Sequence, residues 1–103
     1  MGQKYQKLDD YLKTTLADPN RARGYLELAL EEFQNDEDME AFLTALRSVA
    51  QAQGGIARLA EQTGINRQHL YRALSKKGNP QLGTLSKILR GLGFRLRLGP
   101  FPR

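Results

Sequence analysis

Apolar residues recur at steps of three and four along most of the chain, which is the spacing of amphipathic α-helices. This pattern predicts helices at 5–16 and 22–34 and a third helix that runs from about 39 to 53. Residues 18–20 read Asp-Pro-Asn and predict a turn between the first two helices. The polar run at 35–38 breaks the second helix and supplies an N-cap and acidic residues for the third.

Glycine and proline divide the second half of the chain into shorter elements. Two short helices are predicted at 56–63 and 67–76, on either side of Gly64. Asn79 and Pro80 suit the N-cap and the first position of a last helix. The residues that this last helix is expected to bury are Leu82, Leu85, Ile88, Leu89 and Leu92.

Residues 94–98 alternate strictly between apolar and polar, which is typical of a β-strand. Gly93 suits the C-terminal cap of the helix before them, and Gly99 with Pro100 ends the strand. A single strand leaves an unpaired edge, which pairing with the twofold copy in a homodimer would satisfy. The alternative is an extended tail that packs over the chain's own helices. The residues expected at the dimer contact are Phe94, Leu96 and Leu98.

The stretch between 56 and 74 carries the residues that a helix-turn-helix requires. Ala60 is small enough for two helices to cross closely, and Gly64, four positions later, tolerates the positive φ of the turn. Asn66 suits the N-cap of the second helix. The apolar residues that can pin the two helices together are Leu59, Ile65, Leu70 and Leu74.

The helix that follows Asn66 has an outer face without acidic residues, since no acid occurs after Glu61. Arginine pairs in bidentate fashion with guanine and glutamine with adenine in the major groove. We therefore expect this helix to read DNA bases, the alternative being a purely structural helical hairpin. The residues expected to face outward are Arg67, Gln68, Tyr71 and Arg72, with His69 near the edge of that face.

Polar residues near these helices are candidates for contacts with the phosphate backbone of DNA. The loop candidates are Ser75, Lys76, Lys77 and Asn79, and Arg58 and Thr84 stand near the starts of their helices. The alternative for the loop is an exposed connection with two solvated lysines.

Charge is divided sharply between the two halves of this 103-residue chain, whose net charge is +5. Residues 1–52 carry six Lys/Arg and ten Asp/Glu, a balance of −4. Residues 53–103 carry ten Lys/Arg and one Glu, a balance of +9. A half with this much positive charge indicates a polyanionic partner, which could be DNA, RNA or an acidic protein. The alternative is a basic surface that is simply solvated.

Composition excludes several classes of function. The chain has no cysteine and one histidine, His69, so we expect no disulfide, no metal site, no cofactor and no enzymatic activity. No sheet with stacking aromatic residues is predicted, which disfavours RNA binding. No apolar run is long enough for a membrane span, and the N-terminus does not look like a secretory signal, so we expect a cytoplasmic protein.

Segment 56–89 resembles the repressor-type (Xre/Cro) helix-turn-helix. Within that class the chain is similar to bacterial addiction-module antidote proteins, the HigA-like antitoxins. The likeness covers about 80 residues. It is carried by Gly64-Ile65-Asn66-Arg67-Gln68-His69-Leu70-Tyr71-Arg72-Ala73-Leu74-Ser75, by Gly78-Asn79-Pro80, and by Leu85, Ile88, Leu89, Leu92, Gly93 and Phe94.

This resemblance implies a homodimer that binds a palindromic operator of double-stranded DNA in its own promoter. It also implies a RelE/HigB-like toxin as partner, and the acidic N-terminal half is the candidate surface because such toxins are basic. The base-reading residues that it implies are Arg67, Gln68, Tyr71 and Arg72, with Asn66 and His69 near the groove.

The sequence therefore predicts an all-α fold: a repressor-like helix-turn-helix bundle of five to six helices with a short C-terminal β-strand. The expected divisions are acidic N-terminal helices at 1–36, the DNA-binding domain at 37–93, and a strand with tail at 94–103. The expected function is a sequence-specific repressor that is also the antitoxin of its operon. Two alternatives stay open: a free-standing regulator without a toxin, and an interaction module in which DNA binding is secondary.

Overall fold

The computed structural model describes residues 10–102, and within them the chain is all-helical, with six helices and no strand. The helices are α1 (10–16), α2 (Pro19–Asp36), α3 (Met39–Ala52), α4 (Gly55–Thr63), α5 (Arg67–Ala73) and α6 (Leu82–Gly91). The predicted all-α class is confirmed, and residues 5–9 of the first predicted helix lie outside the described residues. In the part of the chain that is described, no helix is both long and apolar enough to cross a membrane.

The predicted turn at 18–20 is instead the beginning of α2. Asp18 has an extended backbone, and its carboxylate accepts a hydrogen bond from the N–H of Asn20 at 2.9 Å. Pro19 follows at the first helical position, where its missing N–H and its fixed φ are both suited to a helix start. The same Asp-Pro pair that predicts a turn is therefore used here as a helix cap.

A two-residue connection joins α2 to α3. Glu37 adopts the left-handed conformation at φ 59°, and its N–H donates to the carbonyl of Phe33 at 2.7 Å. Asp38 then caps α3 by accepting the N–H of Ala41 at 3.1 Å, as its place in the polar run predicts. The rings of Phe33 and Phe42 lie 6.1 Å apart and hold the two helices together beside this connection.

One hydrophobic cluster joins all six helices, and α3 lies at its centre with six buried residues. The largest fully buried side chains are Leu16, Leu43, Leu46, Val49, Leu70, Leu74 and Ile88. No polar or charged residue among those described is buried. Each buried leucine contributes about 1.5–3 kcal/mol of favourable transfer free energy, so the fold depends on apolar packing around α3.

A close approach between two helices involves Gly91, at the end of α6. A Cβ atom at this position would lie 2.6 Å from the Cγ2 of Thr63 and 3.0 Å from the Cδ1 of Leu59. Both are residues of α4, so a side chain on Gly91 would hold the two helices apart. The crossing of α4 and α6 therefore requires glycine at a position to which the sequence pattern assigned no role.

α6 begins two residues later than predicted, so Asn79 and Pro80 do not cap it. Gln81 is the N-cap residue and makes no side-chain cap hydrogen bond, and Leu82 is the first helical residue. The chain turns after α5, where the N–H of Gly78 donates to the carbonyl of Ser75 at 2.9 Å, and residues 78–81 are not helical. A side chain at Gly78 would collide with the carbonyl of Ala73, so this turn requires glycine.

The prediction that Leu82 is buried is wrong, because its side chain is 70% exposed. Burial increases along α6, from half-buried Leu85 to buried Ile88 and Leu89. The helix packs through its C-terminal end, where Gly91 meets α4, and its first turn projects from the core.

The predicted β-strand at 94–98 is not present in the described chain. Phe94 and Leu96 pack on the hydrophobic cluster, and the segment lines a groove together with Leu26 and Leu30 of α2. No backbone hydrogen bond within the described residues involves 95–101. The alternation of apolar and polar residues thus describes an extended tail with one side on the chain's own core.

The end of α6 has the predicted glycine cap. Gly93 has φ 94°, its N–H donates to the carbonyl of Arg90, and the N–H of Phe94 donates to the carbonyl of Leu89 at 2.8 Å. This pair of bonds is a Schellman motif, and it turns the chain sharply so that Phe94 returns to the core.

We expect Gly91→Ala to lower the free energy of unfolding by about 1–3 kcal/mol, because the new methyl group overpacks the α4–α6 contact. Gly83→Ala is the matched control, since Gly83 lies in the same helix and no atom of the described chain comes within 4 Å of the place its methyl group would take. That control should be neutral or raise the stability by up to about 1 kcal/mol. Urea denaturation of both variants checks the opposite signs, and equal effects would contradict this account of the crossing.

Candidate nucleic-acid interface

The turn between α4 and α5 is built from three consecutive residues with defined hydrogen bonds. Gly64 has φ 75°, and its N–H donates to the carbonyl of Ala60 at 2.9 Å. The hydroxyl of Thr63 donates to the carbonyl of Leu59 at 2.8 Å and accepts the N–H of Ile65 at 3.2 Å. The predicted positive φ at Gly64 is confirmed, and Thr63 adds a support that the sequence pattern did not indicate.

Asn66 is the N-cap of α5, as predicted. Its backbone is extended, and its side-chain oxygen accepts the N–H of His69 at 2.8 Å. The oxygen is thus used to begin the helix, while the amide NH₂ group of Asn66 has no partner among the hydrogen bonds of the described residues. Asn66 therefore has a structural role that is independent of any ligand.

α5 has one buried side and one side that faces solvent. Leu70 and Ala73 are buried on the inner side, together with Leu74 after the helix. On the outer side Tyr71 is 61% exposed, although it is a large aromatic residue. The four residues predicted to face outward are exposed, namely Arg67, Gln68, Tyr71 and Arg72, and so is His69, which is expected near the edge of that face.

The ion pairs of the described chain lie in the acidic half of the sequence, whereas α5 belongs to the basic half. They join Arg21 to Asp18 at 4.0 Å and Arg23 to Glu27 at 3.6 Å, both at α2. Within residues 10–102, no Lys or Arg of the basic half forms an ion pair with a carboxylate. Arg67 and Arg72 of α5 are exposed and have no carboxylate partner among these residues, so an external anion can reach them.

Arg47 connects α3 to the end of α5, and the sequence pattern assigned it no role. Its guanidinium donates to the carbonyl oxygen of Leu74 and to the hydroxyl of Thr44 at 2.9 Å. A cation at a helix C-terminus also interacts favourably with the helix dipole. The available signal is that Arg47 is the only basic residue of α3.

The loop after α5 keeps its candidate phosphate-binding residues beside that helix. The hydroxyl of Ser75 donates to the carbonyl of Arg72 at 2.9 Å, and Lys76, Lys77 and Asn79 are exposed. Because α6 lacks a side-chain N-cap, the N–H groups of its first turn have no side-chain acceptor among the described residues. Thr84 is half-buried and is the third residue of that helix.

Arg58 lies apart from the other candidate phosphate-binding residues. It lies in a cleft at the start of α4 together with Arg90 from the end of α6, and Gln53 and Gln62 also line the cleft. None of the cleft residues comes from α5 or from the loop that follows it. The structure thus separates Arg58 from the other candidates and pairs it with Arg90, which the sequence pattern did not single out.

Comparison with known proteins identifies the family. A family model described as "Probable addiction module antidote protein" matches residues 4–100 of this chain. An uncharacterized protein of Haemophilus influenzae strain Rd is 33% identical over 73 residues, which cover 71% of this chain and 74% of that protein. No solved structure gives a significant match. The expected likeness to antidote proteins is confirmed, and the chain belongs to the family of probable addiction module antidote proteins.

Proposed function

We propose that this protein is a sequence-specific DNA-binding repressor and the antitoxin of a toxin–antitoxin operon. It binds a palindromic operator in its own promoter as a homodimer and neutralises a RelE/HigB-like toxin. The family implies a toxin partner of some kind. DNA binding is our inference from the surface of the molecule, whereas autoregulation and the class of toxin are what the resemblance to HigA-like antitoxins implies.

The observation that carries this proposal is the exposed, acid-free face of α5. Arg67 and Gln68 occupy the first turn of the helix, and Arg72 follows one turn later. Base contacts of a helix-turn-helix come from the N-terminal part of its second helix, which enters the major groove. In this arrangement Arg67 reads guanine, Gln68 reads adenine, and Tyr71 and Arg72 extend the contact along the groove. His69, with its exposed ring, lies at the edge of that surface.

Contacts with phosphate position α5 on the duplex and supply most of the affinity. Lys76, Lys77 and Asn79 follow α5 directly and are exposed. Thr84 and the free N–H groups at the start of α6 suit a second phosphate, because a helix N-terminus attracts anions. The cleft residues Arg58 and Arg90 offer a further positive site at the start of α4, and Ser75 supports the loop.

A homodimer is proposed from the C-terminal tail. Leu98 is fully exposed and Phe101 is 77% exposed, while Phe94 and Leu96 are held against the chain's own core. The backbone of 95–101 has unpaired N–H and C=O groups within the described chain. Pairing with a second copy would satisfy these groups and cover Leu98, with Phe94 and Leu96 fixing the tail from behind.

We expect Arg67→Ala to lose about 1–3 kcal/mol of operator affinity and to relax the preference at one base pair. Lys77→Ala is the comparison variant, and it should weaken all sequences alike and reduce the salt slope by about one. Footprinting on the DNA upstream of the gene defines the site, and titrations of base-pair variants at several salt concentrations measure the preference. If Arg67→Ala left the base preference unchanged, the proposal that α5 lies in the major groove would be wrong.

Two substitutions of Asn66 distinguish its role as a helix cap from a location close to DNA. Asn66→Ala should destabilise the fold by about 1 kcal/mol, because the N–H of His69 loses its acceptor. Asn66→Asp keeps that acceptor and should preserve the stability, but its added negative charge should weaken DNA binding by electrostatic repulsion. Thermal unfolding of both variants measures the stability, and DNA titration measures the affinity. Wild-type DNA affinity in Asn66→Asp would show that the start of α5 lies far from the phosphates.

For the homodimer, Leu98→Asp should produce monomers at concentrations where the wild type is dimeric. The thermal stability of the isolated monomer should stay close to that of the wild type, since the Leu98 side chain is fully exposed in its own chain. Tyr11→Asp is the control, because Tyr11 is also exposed, at 64%, but lies on α1. Sedimentation equilibrium measures the association. Dimers that survive Leu98→Asp would place the interface elsewhere.

A further inference from the structure

Thr63, the last residue of α4, contacts both the turn and a neighbouring helix through one short side chain. Its hydroxyl belongs to the turn, and its methyl group Cγ2 faces Gly91 of α6. The residue is half-buried, and it lies outside the exposed face of α5 to which we assign base reading. Its two contacts therefore point to a role inside the molecule.

The hydroxyl of Thr63 binds the first backbone group that lies beyond α4. The N–H of Gly64 still bonds back into α4, whereas the N–H of Ile65 donates to the Thr63 hydroxyl at 3.2 Å. Among the described residues, the N–H of Ile65 has no other acceptor. Because Asn66 follows directly and caps α5, this bond determines where the backbone enters that helix.

The methyl group of Thr63 packs against the backbone of α6. A Cβ atom at Gly91 would lie 2.6 Å from Cγ2, which shows how closely the two helices approach at this point. The hydroxyl and the methyl group branch from the same Cβ atom, so a rotation about the Cα–Cβ bond moves both. Rotation of the hydroxyl away from Ile65 would therefore also displace the methyl group from Gly91.

We propose that Thr63 is a positioning residue for base reading by α5. Its hydroxyl sets the path of the backbone from Ile65 into α5, and the packing of its methyl group on Gly91 keeps that hydroxyl in the bonding rotamer. Serine would supply the hydrogen bonds without the packing, and valine the packing without the hydrogen bonds. This inference rests on the proposed DNA binding through α5, and it adds a residue that acts on base selection without touching DNA.

Base reading depends more strictly on the position of α5 than phosphate binding does. Bidentate contacts of Arg67 and Gln68 with base edges require defined distances and angles. The exposed side chains of Lys76 and Lys77 are long and flexible, so their contacts with phosphate tolerate a small shift. A displaced α5 should therefore lose discrimination between base pairs before it loses affinity for DNA in general.

Thr63→Val tests this role, because valine keeps the packing on Gly91 and removes both hydrogen bonds of the hydroxyl. The measured quantity is the discrimination ratio, which is the affinity for the operator divided by that for a duplex with one base pair changed. At a temperature where all variants are folded, this ratio should fall about tenfold, the loss of roughly one bidentate contact. Affinity for unrelated DNA should stay within about twofold. A merely structural role would lower the melting temperature and leave the ratio unchanged.

Two further variants control for the loss of a hydroxyl. Thr63→Ser restores the hydrogen bonds without the packing, so its discrimination ratio should lie between those of the wild type and Thr63→Val. Ser48→Ala is the matched control, since the Ser48 hydroxyl also donates to a carbonyl four residues earlier, at 3.1 Å, but makes no hydrogen bond to the turn. This control should leave the ratio unchanged.

Gly91→Ala examines the contact with α6. The added methyl group would collide with Cγ2, so this variant should displace the Thr63 side chain and also lower the discrimination ratio. In the Thr63→Ser background Cγ2 is absent, and the same substitution should have a smaller effect. Equal effects in the two backgrounds would show that the packing on Gly91 does not hold the hydroxyl in place.

Amide hydrogen exchange of Ile65 in the free protein gives a measurement that is independent of DNA. This amide should exchange at least about tenfold faster in Thr63→Val than in the wild type, because it loses its acceptor. An equal exchange rate would show that the hydroxyl does not hold the turn, and the proposed positioning role would be wrong.

The DNA measurements separate failure of this inference from failure of the proposed function. If the wild type discriminates between base pairs and Thr63→Val discriminates equally well, Thr63 is not a positioning residue, and the proposed function stands. The same holds if Thr63→Ser discriminates no better than Thr63→Val. If the wild type shows no preference among duplexes, base reading by α5 and the role of Thr63 are both overturned.

Discussion

The candidate interface depends on holding a seven-residue helix in one orientation. A helix as short as α5 is unstable alone, since few internal hydrogen bonds offset the entropy of ordering it. Three contacts with the rest of the chain supply the stability that the isolated helix lacks. Asn66 caps its beginning, Arg47 binds the carbonyl of Leu74 at its end, and Leu70 is completely buried beneath it.

These contacts explain why the outer face of α5 can be polar throughout. The inner face and the two ends provide the stability, so Arg67, Gln68 and Arg72 make no contribution that the fold requires. The side chains at these positions can therefore be suited to a ligand without a loss of stability. The surface is therefore rigid in its backbone and adaptable in its side chains, which suits the selective reading of base edges.

Charge segregation gives the chain an acidic half and a basic half, which favour partners of opposite charge. The basic half contains α5 and the loop after it, and the acidic half contains α2 and α3. In the function proposed above, this division would let one chain bind a toxin and an operator without competition for one site. This division agrees with a family of antidote proteins in which the partner is a toxin.

The sequence alone determined the helical class, the turn at Gly64, the cap at Asn66 and the exposed residues of α5, because each depends on the chemistry of a few neighbouring residues. Tertiary structure alone decided the use of Arg47 and Gly91, whose partners lie far away in the chain. Tertiary structure also decided the conformation of residues 94–98. Alternation shows that one side of 94–98 is buried, but a strand and a tail on the core share that pattern, and only packing against α2 distinguishes them.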